Sequence, residues 1–268
     1  MTTGNLDRGL AILEILSESV PGLPMHIIAD RLNIPRSATH RLLAELIRHG
    51  YVRQEKEQGE YLLTMKLCSL GLSHLSRSGV TDAAQPILER LARASGELAR
   101  LGIIDGEQLV WVAKAQGAPS GLRYDPDMGR EALLSCTASG HAWLSCLSDE
   151  EAIELVLKQG GLNRGTTVGP KAAQTIPSLL DELHLTRERG YSILTEAIVG
   201  TAATAAPIHH AITKQVIGVL SVSGPNARFT EERMRELTPV LLNCAAELSS
   251  ISPSLPSFAD RNRSPGVL

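Results

Sequence analysis

Asn33 to Val52 reads NIPRSATHRLLAELIRHGYV. Asn-Ile-Pro is a short turn, because proline ends one helix and is well placed to begin another. From Arg36 the apolar residues recur at helical spacing until Gly50 stops the run. With Ser37 at zero and about 100° per residue, Ala38, Leu42, Leu43, Leu46 and Ile47 gather on one side. Ser37, His40, Arg41, Ala44 and Arg48 gather on the other. Thr39 falls among the apolar residues, near Leu46. It is therefore expected to pack inward with its hydroxyl bonded to the backbone. The outward face is short, polar and basic, which suits either solvent or a groove of DNA.

The flanks decide between these. Upstream, Leu6, Leu10, Leu13 and Leu16 mark a first helix, broken at Pro21-Gly22. Pro24 opens a second, with Met25, Ile28, Ala29 and Leu32 on its apolar stripe. Downstream, extended pieces at Tyr51 to Arg53 and Glu60 to Leu63 flank a polar tip, EKEQG. Three helices and a hairpin within residues 1–63 form a winged helix-turn-helix plan, with the third helix entering the major groove. Arg36, Ser37, His40, Arg41 and Arg48 are the candidate DNA contacts, since arginine grips guanine or phosphate through a fork of donors. Arg8, Arg53 and Lys56 are candidate phosphate partners. For each of those three, plain surface charge explains the residue equally well.

Thr64 can cap a fourth, linker helix over 64–80. Beyond it, LARLGIIDGEQLVWVAK alternates about Asp105-Gly106 as a hairpin. Ser148 to Glu151 is a capping box opening a helix that ends at Gly160-Gly161. Further helices are expected over Asp82 to Ala94, Ile176 to Arg189 and Thr230 to about Ser250. Strands are expected at Tyr191 to Leu194, Thr201 to His209 and Val216 to Val222. Helices and strands intermix about a mostly antiparallel sheet, so residues 81–251 read as an α+β domain. The tail over 252–268, including PSLPSFADRNRSPGVL from Pro253, has a disordered composition.

The bulk numbers fit a two-domain protein. The chain has 268 residues, 43% hydrophobic, and only 3% aromatic. Aliphatic residues must therefore build the cores. A net charge of -3 gives no global nucleic-acid signal, so any basic surface is local. No apolar run approaches the roughly 20 residues that span a bilayer. Asp7 and Glu14 interrupt the N-terminal apolar stretch, unlike a signal peptide. Cys68, Cys136, Cys146 and Cys244 are too widely spaced for a zinc motif, and reduced thiols in a cytoplasmic protein are expected. No cofactor and no metal site is expected.

DRGLAILEIL, IIADRLNIPRSATHRLLAELIRHGYV and YLLTMKLCSLG together resemble the DNA-binding half of the IclR family of bacterial transcriptional regulators. TASGHAWLS (Thr137 to Ser145), RERGYSILTEAIVGTAATAAPI (Arg187 to Ile208) and VIGVLSVSGPNARFT (Val216 to Thr230) resemble its effector-binding half. The likeness spans roughly residues 5–250. It implies a winged helix-turn-helix, a linker helix and a GAF-like effector-binding domain. It also implies a double-stranded DNA operator, a small organic or aromatic acid as effector, control of catabolic genes, and a homodimer or dimer of dimers. The chain departs from the usual pattern at Ala38, at Gly140-His141 and around Glu196, so an effector other than the simplest keto-acids is expected.

The loop at Ala138, Ser139 and Gly140 becomes a helix, and free N–H groups there can hold a carboxylate. The resemblance makes this loop part of the family's pocket. Ser221 and Ser223 alternate about Val222 and share a face, which the resemblance turns toward the ligand. Glu196 and Thr204 are lesser candidates. Arg123 could pair with an acid and Tyr124 could stack on a ring. Each has a plainer reading: capping for Ser139, a solvated strand face for the two serines, a surface ion pair for Glu196 and loop structure for Arg123-Tyr124. Two alternatives stay open: a winged-helix regulator with no effector, and a hydrolase using Ser139 with His141 or His209-His210. No catalytic residue is assigned, because ASGHA is not a nucleophile elbow and helix residues two apart do not face each other.

Overall fold

The computed structural model describes residues 4–56, 59–126, 128–162 and 168–255. The chain divides into two compact units, residues 1–77 and 78–268.

The first unit holds α1 (Asn5–Ser17), α2 (Met25–Leu32), α3 (Arg36–Arg48), β1 (Val52–Gln54), β2 (Tyr61–Leu63) and α4 (Met65–Ser78). Asn33 ends α2 in the left-handed region at φ 51, which asparagine tolerates and β-branched residues do not. The tight turn that results buries Ile34, and Pro35 then starts α3, its carbonyl accepting from Ala38 and Thr39. Ile12, Leu16, Ile28, Leu43, Val52 and Tyr61 form one core across all the elements through β2. β1 and β2 pair antiparallel from Val52↔Leu63 to Gln54↔Tyr61. Leu23 adds a two-bond bridge to Tyr61. Gly22 makes that bridge possible: a Cβ there would lie 2.7 Å from the Tyr61 carbonyl. Thr64 accepts from the Lys66 amide and so caps α4, as its position predicts. The middle of the expected EKEQG tip, residues 57–58, lies outside the described residues.

The second unit contains α5 (Val80–Ser95), β3 (Leu98–Asp105), β4 (Gln108–Gln116), α6 (Ala138–Leu144), α7 (Asp149–Lys158), α8 (Ile176–Arg189), β5 (Ser192–Thr195), β6 (Thr201–His209), β7 (Val216–Pro225) and α9 (Glu231–Ile251). The sheet order is β4-β3-β7-β6-β5, antiparallel at every pair. The two predicted turn devices are present: Gly106 at φ 60 closes β3 to β4, and Ser148 with Glu151 forms the capping box of α7. Strand alternation separates two cores. Ala99, Leu101, Ala202, Ala206 and Val222 point to α5 and α9, where Leu88, Leu91, Leu241 and Phe229 meet them. Leu109, Trp111, Ala205 and Val219 point the other way, to Ala138, Ala142, Leu179 and Leu183 of α6 and α8.

Residues 252–255 are ordered, although the sequence reading places them in a disordered tail. Ser252–Ser254 forms a 3-10 turn, and Leu255 is buried against the α5–α9 core. The apolar contact orders these residues despite their proline-rich composition. The remainder, 256–268, lies outside the described residues. No helix among the described residues is long and apolar enough to cross a membrane.

Candidate functional site

Two groups of residues carry chemistry, one in each unit. In the first, α3 presents Arg36, Ser37, His40 and Arg41 to solvent, while Thr39 and Leu43 are buried beneath. Thr39 Oγ1 donates to the Pro35 carbonyl at 3.2 Å. The expected inward turn of Thr39 is therefore observed. Arg48 is also exposed, but its guanidinium is held by Glu45 at 2.6 Å, and Arg48 in turn pulls the Glu45 carboxyl below its ordinary range. It is thus a less available donor than Arg36 or Arg41. Arg53 on β1 and Lys56 beyond it are exposed, and Arg8 on α1 is half-buried. Lys66 Nζ, 4.6 Å from the Tyr51 ring centroid, donates to the His49 carbonyl at the negative end of α3.

In the second unit, a small cavity of about 30 Å³ lies between the sheet and the first turn of α6. Ser192 Oγ ties α6 down by donating to the Ala138 carbonyl at 2.6 Å. Gly140 allows the approach: a Cβ would sit 2.2 Å from the Leu134 carbonyl. Ala138, Ser139, Tyr124 and Ser223 line the cavity, together with Arg100, Thr201 and Ala203. Apolar walls come from Leu194, Ala197 and Ile198. Ser221 is buried one alternation from Ser223 on the same face.

Several expected residues are elsewhere. Gly140 is a packing position, and its amide donates to the Thr137 cap at 3.0 Å, so it is not a free donor to a ligand. Thr204 faces the α5–α9 side, paired with Ile193, and its hydroxyl donates to the Ser192 carbonyl at 2.8 Å. Strand parity puts Ala203 and Ala205, not Thr204, on the cavity face. Glu196, at φ 55, accepts from Asn226 Nδ2 at 3.0 Å and pairs with Lys171 at 3.4 Å, so the plainer surface reading holds. Arg123 is exposed and does not line the cavity.

Arg100 was not expected. It stands within the apolar run LARLGII, which is the signal that could have revealed it: an inward charge on an alternating strand. It is 6% exposed, with its guanidinium 3.8 Å from the Trp111 ring centroid and 5.7 Å from that of Tyr124. Stacking of a desolvated cation on indole is worth about 2 kcal/mol. Burial pulls Arg100 below its ordinary pKa, while Tyr124 and Asp125 draw it back up. Asp125 is bonded to Lys114 Nζ at 2.5 Å. Arg100 Nε and Ser221 Oγ are among the buried side-chain atoms that have no hydrogen-bond partner.

Ser139 and His141 do not form a catalytic pair. His141 is buried with Nε2 3.0 Å from the Ser135 carbonyl and Nδ1 3.4 Å from Glu182. Burial lowers its pKa to about 4, with the Ser135 carbonyl opposing and Arg189 reinforcing. A larger groove of about 600 Å³ runs from Glu107 past Trp143 to Lys214, but Lys158 is already paired with Glu107 and Glu154 there.

Comparison with known proteins agrees with both halves. Residues 5–56 match the IclR helix-turn-helix domain, and 72–250 match the bacterial transcriptional regulator IclR C-terminal domain. The acetate operon repressor of Salmonella typhimurium is 30% identical over 250 residues, covering 91% of this chain and 88% of that one. The crystal structure of Thermotoga maritima IclR superposes with a TM-score of 0.70 at 27% identity, covering 91% and 97% of the two chains. An IclR homolog from Microbacterium hydrocarbonoxydans, crystallised with 4-hydroxybenzoate, has a TM-score of 0.74 at 21% identity, covering 92% and 98%. With a helix-turn-helix half followed by a matching C-terminal half, the chain belongs to the IclR family of DNA-binding bacterial transcriptional regulators and is not an enzyme.

Proposed function

We propose that this regulator acts in the cytoplasm as a homodimer or dimer of dimers. Arg36, Ser37, His40 and Arg41 enter the major groove of an operator, and a small organic or aromatic acid in the cavity beneath α6 controls that binding. The observation that carries the DNA reading is the division of α3: basic and hydroxyl side chains outward, Thr39 and Leu43 inward. Arg53, Lys56 and Arg8 are the phosphate partners in this reading. Dimerisation is supported by large apolar side chains in solvent on two helices of the first unit, Leu6 and Leu10 on α1, and Met65, Leu70 and Leu72 on α4. Patches of this kind mark association surfaces. The effector reading is supported by buried polar groups set in apolar walls; the space between them is about 30 Å³, and the seam between α6 and the sheet widens to admit an acid. The relative crystallised with 4-hydroxybenzoate makes aromatic acids the first compounds to try. The effector acts by binding the DNA-competent and DNA-incompetent states with different affinity.

Mobility shift on DNA from upstream of the protein's own gene, with and without a panel of acids, tests the proposal. A shift that an acid strengthens or weakens supports it. DNA binding indifferent to every acid would favour a regulator without an effector.

A further inference from the structure

We propose that Arg100 is the anchor for the carboxylate of a small monocarboxylic acid, with Ser221 Oγ donating to the same group. The inference rests on reading the cavity beneath α6 as the effector site.

Four observations carry it. A buried guanidinium is costly unless charge and hydrogen bonds meet it. Arg100 is almost fully buried, forms no ion pair among the described residues, and keeps an unmatched Nε hydrogen. The stack on Trp111 covers its face, Tyr124 lies beside its edge, and Nε is left without a partner. The second unmatched group stands beside it: Arg100 and Ser221 are directly opposed across β3 and β7. Opposed residues hold their Cβ atoms about 4.5–5.5 Å apart, a span that one carboxylate can bridge.

Charge then limits the ligand. Lys114 is the residue opposed to Arg100 on its other side, on β4, and Asp125 already matches it. One positive charge is left over, which calls for one negative charge on the ligand. A water could fill the space but would leave that charge unmatched. The space of about 30 Å³ admits the carboxylate alone, so the seam between α6 and the sheet widens for the apolar remainder of the acid, which Leu194, Ala203 and Ile198 then line.

The experiment is a thermal-shift titration of the full-length protein with three matched pairs: benzoate and benzamide, 4-hydroxybenzoate and 4-hydroxybenzamide, butyrate and butyramide. Binding to the native state raises Tm in step with concentration over Kd. At least one acid is expected to raise Tm while its amide does not. Arg100→Met should lose about tenfold or more in affinity for that acid, Arg100→Lys should keep part of it, and Ser221→Ala should lose a few-fold. Unliganded Arg100→Met is expected to melt close to wild type, because relief of a buried, unpaired cation offsets the lost stack on Trp111. That pairing of retained stability with lost binding is one a structural arginine would not produce.

Equal shifts from acid and amide, or no shift from any acid, overturn the proposal without needing a variant. So does an Arg100→Met protein that binds the acid within about twofold of wild type. Ala203→Trp, which fills the cavity, separates the two readings. If the acid still binds that variant, the cavity is not the effector site. If it binds to Arg100→Met but not to Ala203→Trp, the cavity stands and the anchor falls.

Discussion

Thr39 and Arg41 lie two positions apart on α3 and have opposite fates. Thr39 is fully buried, so Thr39→Val should leave operator affinity unchanged and alter stability by about 1 kcal/mol through one lost hydrogen bond. Arg41→Ala with Ser37→Ala should do the reverse. Each lost base contact costs about 1–3 kcal/mol of binding, while the melting temperature stays put. Fluorescence anisotropy with operator DNA, alongside thermal melts, reads both. Unchanged affinity in the double variant would show that the wrong face of α3 had been assigned. Helical periodicity alone was enough to sort these residues, because a 13-residue helix packed on one side obeys its angular pattern. The effector residues were harder. The sequence suggests Arg123, in a loop where charges ordinarily sit, as the charged partner for an acid, whereas the anchor proposed above, Arg100, lies inside β3.

At the scale of elements, the sequence marks caps and turns better than it marks partners. Asp105-Gly106, Ser148 with Glu151, and Thr64 all act locally, so their geometry was readable from a few residues. The sheet order β4-β3-β7-β6-β5 was not, because it depends on pairings far apart in the chain. Thr204 shows the consequence. Its facing depends on the β6–β7 register, and a one-residue change of parity moves a side chain to the other core. The start of α6 depends equally on a distant contact, since Gly140 lies against the backbone of Leu134. Gly140→Ala should destabilise the second unit by about 3 kcal/mol, the upper end for overpacking, because the obstacle is backbone. Chemical denaturation measures this. A loss below about 0.5 kcal/mol would mean that α6 has room to move.

For the molecule as a whole, acid should be a specific weakness. His141 has an ordinary pKa near 6.5 when unfolded, and burial depresses it to about 4 in the fold. The unfolded chain therefore binds a proton that the folded chain refuses. Stability from this group is present above pH 6.5 and is lost as pH falls toward 4, to a limit of about 3 kcal/mol. Glu182 acts in the opposite sense. Its folded pKa is raised by burial, against the pull of Arg189, so protonating it at low pH favours the fold and blunts the loss. His141→Gln should flatten the melting-temperature profile between pH 6.5 and 4. A profile as steep as wild type would place the acid sensitivity elsewhere.

The stack of Arg100 on Trp111 has an optical consequence. The chain has two tryptophans, Trp111 and Trp143. A cation 3.8 Å from an indole shifts the energy of its excited state, and an anion arriving on that cation shifts it back. In a Trp143→Phe background, emission colour should therefore move as acid is added, with no label attached. The same protein with Arg100→Met should stay dark to the titration, its emission fixed from the start.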